Sequence, residues 1–155
     1  MRISLISAAN RMPDWVNSAV KDYQQRLGKD IQLQIVDIPL NKRGKNANIT
    51  KFMEKEGQLM LRAAKSSDHL IALDVKGTRL STEKMSAKFN DFLHQGVNIA
   101  LLMGGPEGLS EQCKQACKTH WSLSDLTLPH PLARVLVTEQ IYRCWSILHG
   151  HPYHK

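Results

Sequence analysis

Cysteines, long hydrophobic runs and aromatic residues are all scarce in this 155-residue chain. Its three cysteines, Cys113, Cys117 and Cys144, are odd in number and lie in helix-like surroundings, which fits reduced thiols better than a disulfide framework. No apolar run approaches the roughly 18 residues that a transmembrane helix needs, and the first seven residues lack the apolar stretch of a signal peptide. We therefore expect a cytoplasmic protein that is neither exported nor inserted into a membrane.

Acidic residues are fewer than basic ones, and the excess positive charge is unevenly spread. The chain has 21 Lys+Arg against 14 Asp+Glu, a formal net charge of +7. Residues 1–65 hold 12 basic and 6 acidic residues, whereas residues 66–155 hold 9 and 8. This asymmetry favours a polyanionic partner, although a generally basic soluble protein would also show it. A content of 42% hydrophobic and 23% charged residues is typical of a globular protein, and we expect a single domain over 1–155.

Hydrophobic periodicity predicts strands that alternate with helices. Strand patterns cover 2–7, 31–38, 69–75, 97–103 and 121–123, and helical patterns follow Pro13, Ile49, Ser81, Ser110 and Pro131. This alternation indicates an α/β fold, a mostly parallel sheet with helices on both faces. The pattern does not determine the order of the strands.

A glycine-rich segment, 104–108, follows a predicted strand and precedes a predicted helix. Ligands of α/β proteins bind at the carboxyl ends of parallel strands, so this segment is a strong place for a site. Leu109 stands where a Walker A loop needs Lys, and Pro106 breaks the G-x-G-x-x-G pattern, which argues against ATPases, kinases and NAD-binding enzymes. Taken alone, the segment could also be a tight turn that needs glycine for a positive φ.

Other segments allow both a functional and a structural interpretation. Asp74, near the end of a predicted strand, could bind a ligand or cap the next turn. The segment 123–131 mixes apolar and hydrogen-bonding residues without a regular period, as in a ligand-binding loop or a short strand that ends at a proline. Cys113 and Cys117 are spaced i, i+4 with His120 nearby, but no fourth ligand follows at a standard spacing, so we expect no metal.

The C-terminal region contains charged and aromatic residues that could contact RNA. Segment 149–155 combines imidazoles, a tyrosine and a lysine, which could stack on a base and bind phosphate or form a disordered terminus. In the last predicted helix, which follows Pro131, Glu139 and Arg143 have the i, i+4 spacing of a plain surface ion pair. The pattern alone does not choose between these interpretations.

Four ordered motifs resemble the RlmH family. They cover 101–108, 123–130, Arg134-Val135 with 139–143, and 151–154, and segments 12–16 and 42–47 match as well, so the resemblance runs over 1–155. Members of this family are bacterial large-subunit rRNA methyltransferases that act on N3 of a pseudouridine, and they belong to the SPOUT (trefoil-knot) superfamily. The chain is thus similar to enzymes of ribosomal RNA modification.

The resemblance implies a homodimer in which the C-terminal third forms a deep trefoil knot that binds S-adenosylmethionine. A partner would also cover the apolar side of the last predicted helix. The glycines would let the backbone approach the cofactor closely. Asp125 stands where the family varies, so its side chain is not expected to be essential. The implied cofactor-binding residues are Leu73, Gly104, Gly105, Leu123, Ser124, Asp125, Leu126, Thr127 and Leu128.

The implied substrate is a pseudouridine in a hairpin loop of 23S rRNA, met in the assembled ribosome. Methyl transfer from a sulfonium is a direct displacement, so the protein must align the reactants and remove the N3 proton. Glu139, His130 and His154 are candidate bases that the sequence does not rank, and Arg143 and Tyr153 complete the implied catalytic set. The candidate RNA-binding residues are Arg134, Lys155, Lys42, Arg43 and Lys45. The alternatives are a non-catalytic RNA- or ribosome-binding protein with the same fold and a tRNA methyltransferase of the same superfamily.

Overall fold

The computed structural model describes residues 1–45 and 47–155. The segment 41–46 contains no apolar residue, which predicts an exposed loop; residue 46, at its end, lies outside the described residues. The strands are β1 (Arg2–Ala8), β2 (Gln32–Ile38), β3 (His69–Arg79), β4 (Ile99–Met103) and β5 (Thr119–Ser122). The helices are α1 (Asp14–Arg26), α2 (Ile49–Ala63), α3 (Thr82–His94), α4 (Glu111–Ala116), α5 (His130–Leu148) and a short 3-10 helix, Pro152–His154.

The five strands form one sheet in the order β2-β1-β4-β3-β5, and every pair is parallel. The prediction of a mostly parallel sheet is therefore confirmed. Because the strands all run the same way, their carboxyl ends meet at one edge of the sheet. The predicted trefoil knot is consistent with this topology and stays a prediction.

Helices cover both faces of the sheet, as the alternating pattern predicted. On one face, Leu5 packs with Phe89 of α3 and Ile141 of α5. On the other face, Ile6 packs with Met60 of α2 and with the α4 side chains. Side chains alternate between the two faces along each strand, so successive residues of β1 enter different cores.

Strand β3 is longer than the sequence predicted, and Asp74 therefore lies within the strand rather than near its end. The register with β5 shifts between Leu73 and Thr78. At Gly77, a Cβ atom would lie 2.6 Å from the backbone carbon of Trp121, so glycine permits the second half of β3 to pass close to β5. The extension was missed because this half is exposed and polar and has no apolar period.

Helix α5 is largely covered within its own chain. Tyr142 is only 3% exposed, and its ring lies 5.8 Å from that of Tyr23 on α1. Apolar residues occur all around the helix, which is typical of a helix buried on several sides. The need to cover this helix is therefore a weaker argument for a dimer than the sequence suggested.

Candidate active site

A cavity of about 640 Å³ opens at the carboxyl edge of the sheet, between the loop after β4 and the loop after β5. Every residue predicted to bind the cofactor lines it except Asp125. The side chain of Asp125 is exposed and pairs with Arg79 at 2.5 Å. The remaining lining residues, which the sequence analysis did not assign to the pocket, are Asp74, Val75, Lys76, Met103, Pro106, Glu107, Gly108, Leu109, Lys114, Ser122, Pro129, His130 and Ala133.

The 104–108 loop folds back on itself to form one wall of the cavity. The Gly108 amide donates to the Gly105 carbonyl at 2.9 Å, and Gly108 has a φ of +90°, a conformation that favours glycine. A Cβ atom on Gly104 would lie 2.2 Å from the Gly108 carbonyl carbon. Glycine at 104 is therefore required for the loop to close, a reason different from the expected close approach to a ligand.

The segment after β5 is a loop rather than a short strand, which resolves the two interpretations of its pattern. Ser124 Oγ accepts from the Leu126 amide at 2.9 Å, forming a local turn. Leu126 is 74% exposed at this turn. The loop forms the wall of the cavity that faces the glycine-rich segment.

Opposite charges meet inside the cavity. The Lys114 ammonium lies 3.7 Å from the Asp74 carboxylate, and the Asp74 side chain is only 15% exposed. Lys114 was missed by sequence reasoning, although its position in the short helix after the glycine loop was a signal that could have identified it. The pair gives the cavity one cationic and one anionic group for a zwitterionic ligand.

His130 is the member of the predicted catalytic set that lines the cavity. Its Nε2 contacts the Gly104 carbonyl oxygen, so this nitrogen carries the proton and donates. Its Nδ1 is buried and has no hydrogen-bond partner among the described residues. Nδ1 is thus a ring nitrogen without an assigned partner that lies beneath the surface of the described structure.

Glu139, Arg143 and Tyr153 form a separate cluster, none of whose members lines the cavity. Glu139 Oε1 accepts from Arg143 Nε at 2.8 Å and from the Tyr153 hydroxyl at 3.1 Å. Glu139 Oε2 accepts from Gln140 Nε2 at 2.7 Å. The predicted Glu139–Arg143 ion pair is present, but it is half-buried rather than a surface pair, because the Glu139 side chain is only 15% exposed.

The C-terminal segment folds back onto α5 and is not a frayed end. The Tyr153 ring lies 4.7 Å from that of Tyr142, and Arg143 Cζ lies 4.9 Å from the Tyr153 ring centre. Burial, together with hydrogen bonds to Tyr23 and Glu139, raises the pKa of Tyr153. The phenol therefore stays protonated at neutral pH and serves as a donor. His154 follows it with a buried Nδ1 that has no partner in the described part of the chain.

The predicted RNA-binding cations differ in exposure. Lys42, Lys45 and Lys155 are exposed. Arg134 is 2% exposed, and both its terminal nitrogens bond the Asp37 carboxylate, one of them at 3.2 Å. This burial gives Arg134 a structural role, and we remove it from the proposed RNA interface.

Arg43 is also held by ion pairs. It bonds Glu56 on α2 and Glu107 on the 104–108 loop. Because its side chain is 19% exposed, Arg43 is less accessible to RNA than the two lysines beside it.

Within 1–45 and 47–155, no group of three or more His, Cys, Asp or Glu residues is arranged to hold a metal ion. The three cysteines are free and buried, and burial raises the pKa of Cys117 and of Cys144 to about 12. These thiols therefore stay protonated. No helix in the described ranges is both long and apolar enough to cross a membrane.

Comparison with known proteins agrees with this architecture. A family model described as a predicted SPOUT methyltransferase matches residues 1–154. A protein of Thioalkalivibrio sulfidiphilus named ribosomal RNA large subunit methyltransferase H is 48% identical over 155 residues, which cover 100% of this chain and 99% of that protein.

Solved structures share the fold at low sequence identity. A methylase family protein from Haemophilus influenzae is 14% identical with a TM-score of 0.58, and the match covers 99% of this chain and 70% of that one. A methylase family protein from Neisseria gonorrhoeae is 16% identical with a TM-score of 0.51, covering 91% of this chain and 80% of that one. These structures show the fold alone. The family model that matches residues 1–154 and the 48% identical relative establish that the chain belongs to the SPOUT methyltransferase family.

Proposed function

We propose that this chain transfers a methyl group from S-adenosylmethionine to N3 of a pseudouridine in 23S rRNA and that it acts on the assembled ribosome. The observation that carries the proposal is the convergence on one cavity of all but one of the residues that the RlmH resemblance assigns to the cofactor. The 48% identical relative named as a ribosomal RNA large subunit methyltransferase supports the substrate class.

The cavity suits S-adenosylmethionine in size and in chemistry. Its volume of about 640 Å³ is in the range of ligand pockets, roughly 300–1,000 Å³. Leu73, Leu123 and Leu128 offer apolar surface for the adenine ring. Asp74 and Lys114 offer opposite charges for the ammonium and carboxylate of the methionine part.

When bound, S-adenosylmethionine supplies an electrophilic methyl group on a sulfonium. The protein must then hold N3 of the base in line with that methyl group and accept the N3 proton. His130 lines the cavity, and its buried Nδ1 has no partner among the described residues, whereas the Glu139 carboxylate is not part of the cavity lining and already accepts bonds from three side chains. We therefore favour His130 as the base and Glu139 as the group that orients Arg143 and Tyr153.

The test uses ribosomes from a strain that lacks this protein. Purified enzyme with isotopically labelled S-adenosylmethionine should add one methyl group to a pseudouridine of 23S rRNA, identified by mass spectrometry of the digested rRNA. Intact ribosomes should be methylated and naked rRNA scarcely at all. We expect a domain of this size to recognise the folded surface of the assembled ribosome, which naked rRNA does not present. Equal rates on both substrates would contradict the ribosomal part of the proposal, and methylation of tRNA alone would support the tRNA alternative.

We further propose that the enzyme is cytoplasmic and forms a homodimer. Trp15 and Leu132, in the first turns of the packed helices α1 and α5, are 52% and 49% exposed, and a second copy would cover apolar groups of this kind. Light scattering should give twice the chain mass. A monomer at micromolar concentration that still methylates ribosomes would refute the dimer.

A further inference from the structure

A buried carboxylate lies next to the segment that carries Lys42, Arg43 and Lys45. The proposed methyl transfer does not use this carboxylate. Glu56 of α2 is 2% exposed. Its Oε1 accepts from the Asn41 amide at 2.9 Å and from Arg43 Nη1 at 2.5 Å, and its Oε2 accepts from Arg43 Nη2 at 2.9 Å. A buried charge is tolerated when it is paired and hydrogen-bonded, so Arg43 and Glu56 form one fixed unit.

The same guanidinium reaches the wall of the cavity. Arg43 Nη2 donates to Glu107 Oε2 at 3.0 Å, and Arg43 Nε lies 3.4 Å from Glu107 Oε1. Glu107 belongs to the 104–108 loop and lines the cavity. The hydrogen bond from Arg43 is the main cause that lowers the pKa of Glu107, so both partners are charged at neutral pH.

The glycine loop also lies close to this unit in space. A Cβ atom on Gly105 would lie 2.9 Å from the Leu40 side chain and 3.7 Å from Arg43 Nη2. The loop wall therefore rests against the segment that carries Arg43. The planar guanidinium can bind two carboxylates at once, which a lysine ammonium cannot do in the same geometry.

We propose that Arg43 is a positioning residue that, anchored on Glu56, holds Glu107 and with it the 104–108 wall where S-adenosylmethionine binding requires it. This inference rests on the proposed function, because it assigns that cofactor to the cavity. It replaces the RNA-binding role that was expected for Arg43. The nearby lysines remain free to meet RNA.

Three variants separate positioning from folding. Glu107→Gln keeps the side-chain shape and the Arg43–Glu56 pair but removes the charge on the wall. Arg43→Lys keeps a cation beside Glu56 but loses the planar guanidinium that also bonds Glu107. Glu54→Gln is the matched control, because Glu54 is an exposed carboxylate on the same helix as Glu56. Each is measured by calorimetry with S-adenosylmethionine and by thermal unfolding without it.

We expect Glu107→Gln and Arg43→Lys each to weaken S-adenosylmethionine binding about tenfold, which corresponds to ~1.4 kcal/mol. The double variant should be no weaker than either single one, since both changes remove the same link. Glu107→Gln should unfold at nearly the temperature of the unchanged protein, as should Glu54→Gln, which should also bind normally.

Unchanged affinity in Glu107→Gln, or fully additive losses in the double variant, would overturn this inference while leaving the proposed function intact. A loss of affinity that only follows a loss of thermal stability would overturn it as well. An unchanged chain that binds no S-adenosylmethionine would instead overturn the proposed cofactor, and this inference with it.

Discussion

The cavity and the Glu139 cluster both lie beside α5, but different groups build them. The cavity is walled by loop backbone, glycine and apolar side chains at the carboxyl edge of the sheet. The cluster consists of charged and aromatic side chains that bond one another, with Glu139 at its centre. A site of the first kind depends on how closely two loops fold, whereas one of the second kind depends on donors and acceptors that can be removed singly.

This difference predicts different responses to mutation. In the cavity wall, a Cβ atom added to a tightly packed glycine must displace the loop backbone, so one substitution should cause a large loss of S-adenosylmethionine affinity. In the cluster, losing one hydroxyl leaves the other bonds in place, so the effects should be graded. The variants below test each region in turn, from the largest expected effect to the smallest.

Gly104→Ala should have the largest effect. The added Cβ would lie 2.2 Å from the backbone carbon of Gly108, so the loop must open and the cavity wall must move. We expect calorimetry to show S-adenosylmethionine affinity reduced by ~10²-fold or more, about 2.7 kcal/mol, with a native far-UV spectrum. Gly44→Ala is the control, since no atom of the described residues lies within 4 Å of a Cβ there. Normal binding by Gly104→Ala would show that loop closure does not shape the pocket.

Removal of the last three residues should break the cluster and leave the cavity intact. A chain that ends at Pro152 loses the Tyr153 ring and its hydroxyl contact to Glu139. It should bind S-adenosylmethionine normally, yet methylate ribosomes about 10²-fold more slowly, the usual scale for a lost positioned group. Because the ring packs on Tyr142, unfolding should also become easier by about 1 kcal/mol, a cost that the sequence did not suggest.

Tyr153→Phe refines that experiment. It keeps the ring on Tyr142 and removes the hydroxyl, so it should restore the lost stability without restoring the full rate. If the truncated chain and Tyr153→Phe both methylate at the normal rate, the tail only packs against α5. The assignment of His130 as the base would be unaffected, but the proposed positioning role of Glu139 through Tyr153 would be wrong.

The same contrast explains which features the sequence could reveal. The glycine loop could be located because it follows a predicted strand, and parallel strands bring their carboxyl ends to one edge of the sheet. The assignment of 123–128 to the cofactor came from the RlmH resemblance, since its pattern fitted both a loop and a short strand. Pairings between distant residues carry no local pattern. Arg134 and Asp37 are 97 residues apart. Arg43 and Glu56 are only 13 residues apart, but one lies in a loop and the other in α2. The resemblance made both arginines candidates for RNA binding, and neither ion pair could be read from the sequence.

The extension of β3 was hidden for a related reason. After Val75 the residues are mostly exposed and none is a large apolar residue, so the period that marks a buried strand stops while the backbone pairing continues to Arg79. The docking of Tyr153 was equally hidden, since its ring meets Tyr23 from the other end of the chain.

Asp37→Ala should have an intermediate effect on stability, because it leaves the buried Arg134 without its counterion. The change should cost about 2–3 kcal/mol in the free energy of unfolding, less than for a fully buried pair because Asp37 is half-exposed. Arg134→Met should cost less, since the remaining Asp37 can be hydrated. Denaturant titration at a fixed protein concentration measures both.

Asp14→Ala is the control for that comparison, because its pair with Arg11 is almost fully exposed. It should cost less than about 1 kcal/mol, because Asp14 lies in the first turn of α1 and a carboxylate there stabilises the helix. If Arg134→Met proves more harmful than Asp37→Ala, then packing of the Arg134 side chain matters more than its charge. The position of α5, which carries Arg134, would then depend on how this side chain packs and not on its ion pair with Asp37.

Lys42→Ala should have the smallest effect and should spare both regions. The exposed ammonium is not a lining residue of the cavity, so S-adenosylmethionine affinity should be unchanged at any salt concentration. Binding to ribosomes should weaken by a few fold at low salt. If the ammonium meets a phosphate, the dependence of log affinity on log salt should become shallower by about 0.7–0.9. Lys45→Ala should behave alike, whereas Glu107→Gln should leave this slope unchanged, because that carboxylate acts on the cavity wall. If Lys42→Ala and Lys45→Ala change S-adenosylmethionine affinity and leave the slope of log ribosome affinity against log salt unchanged, then these lysines act at the cofactor site and not at the RNA surface.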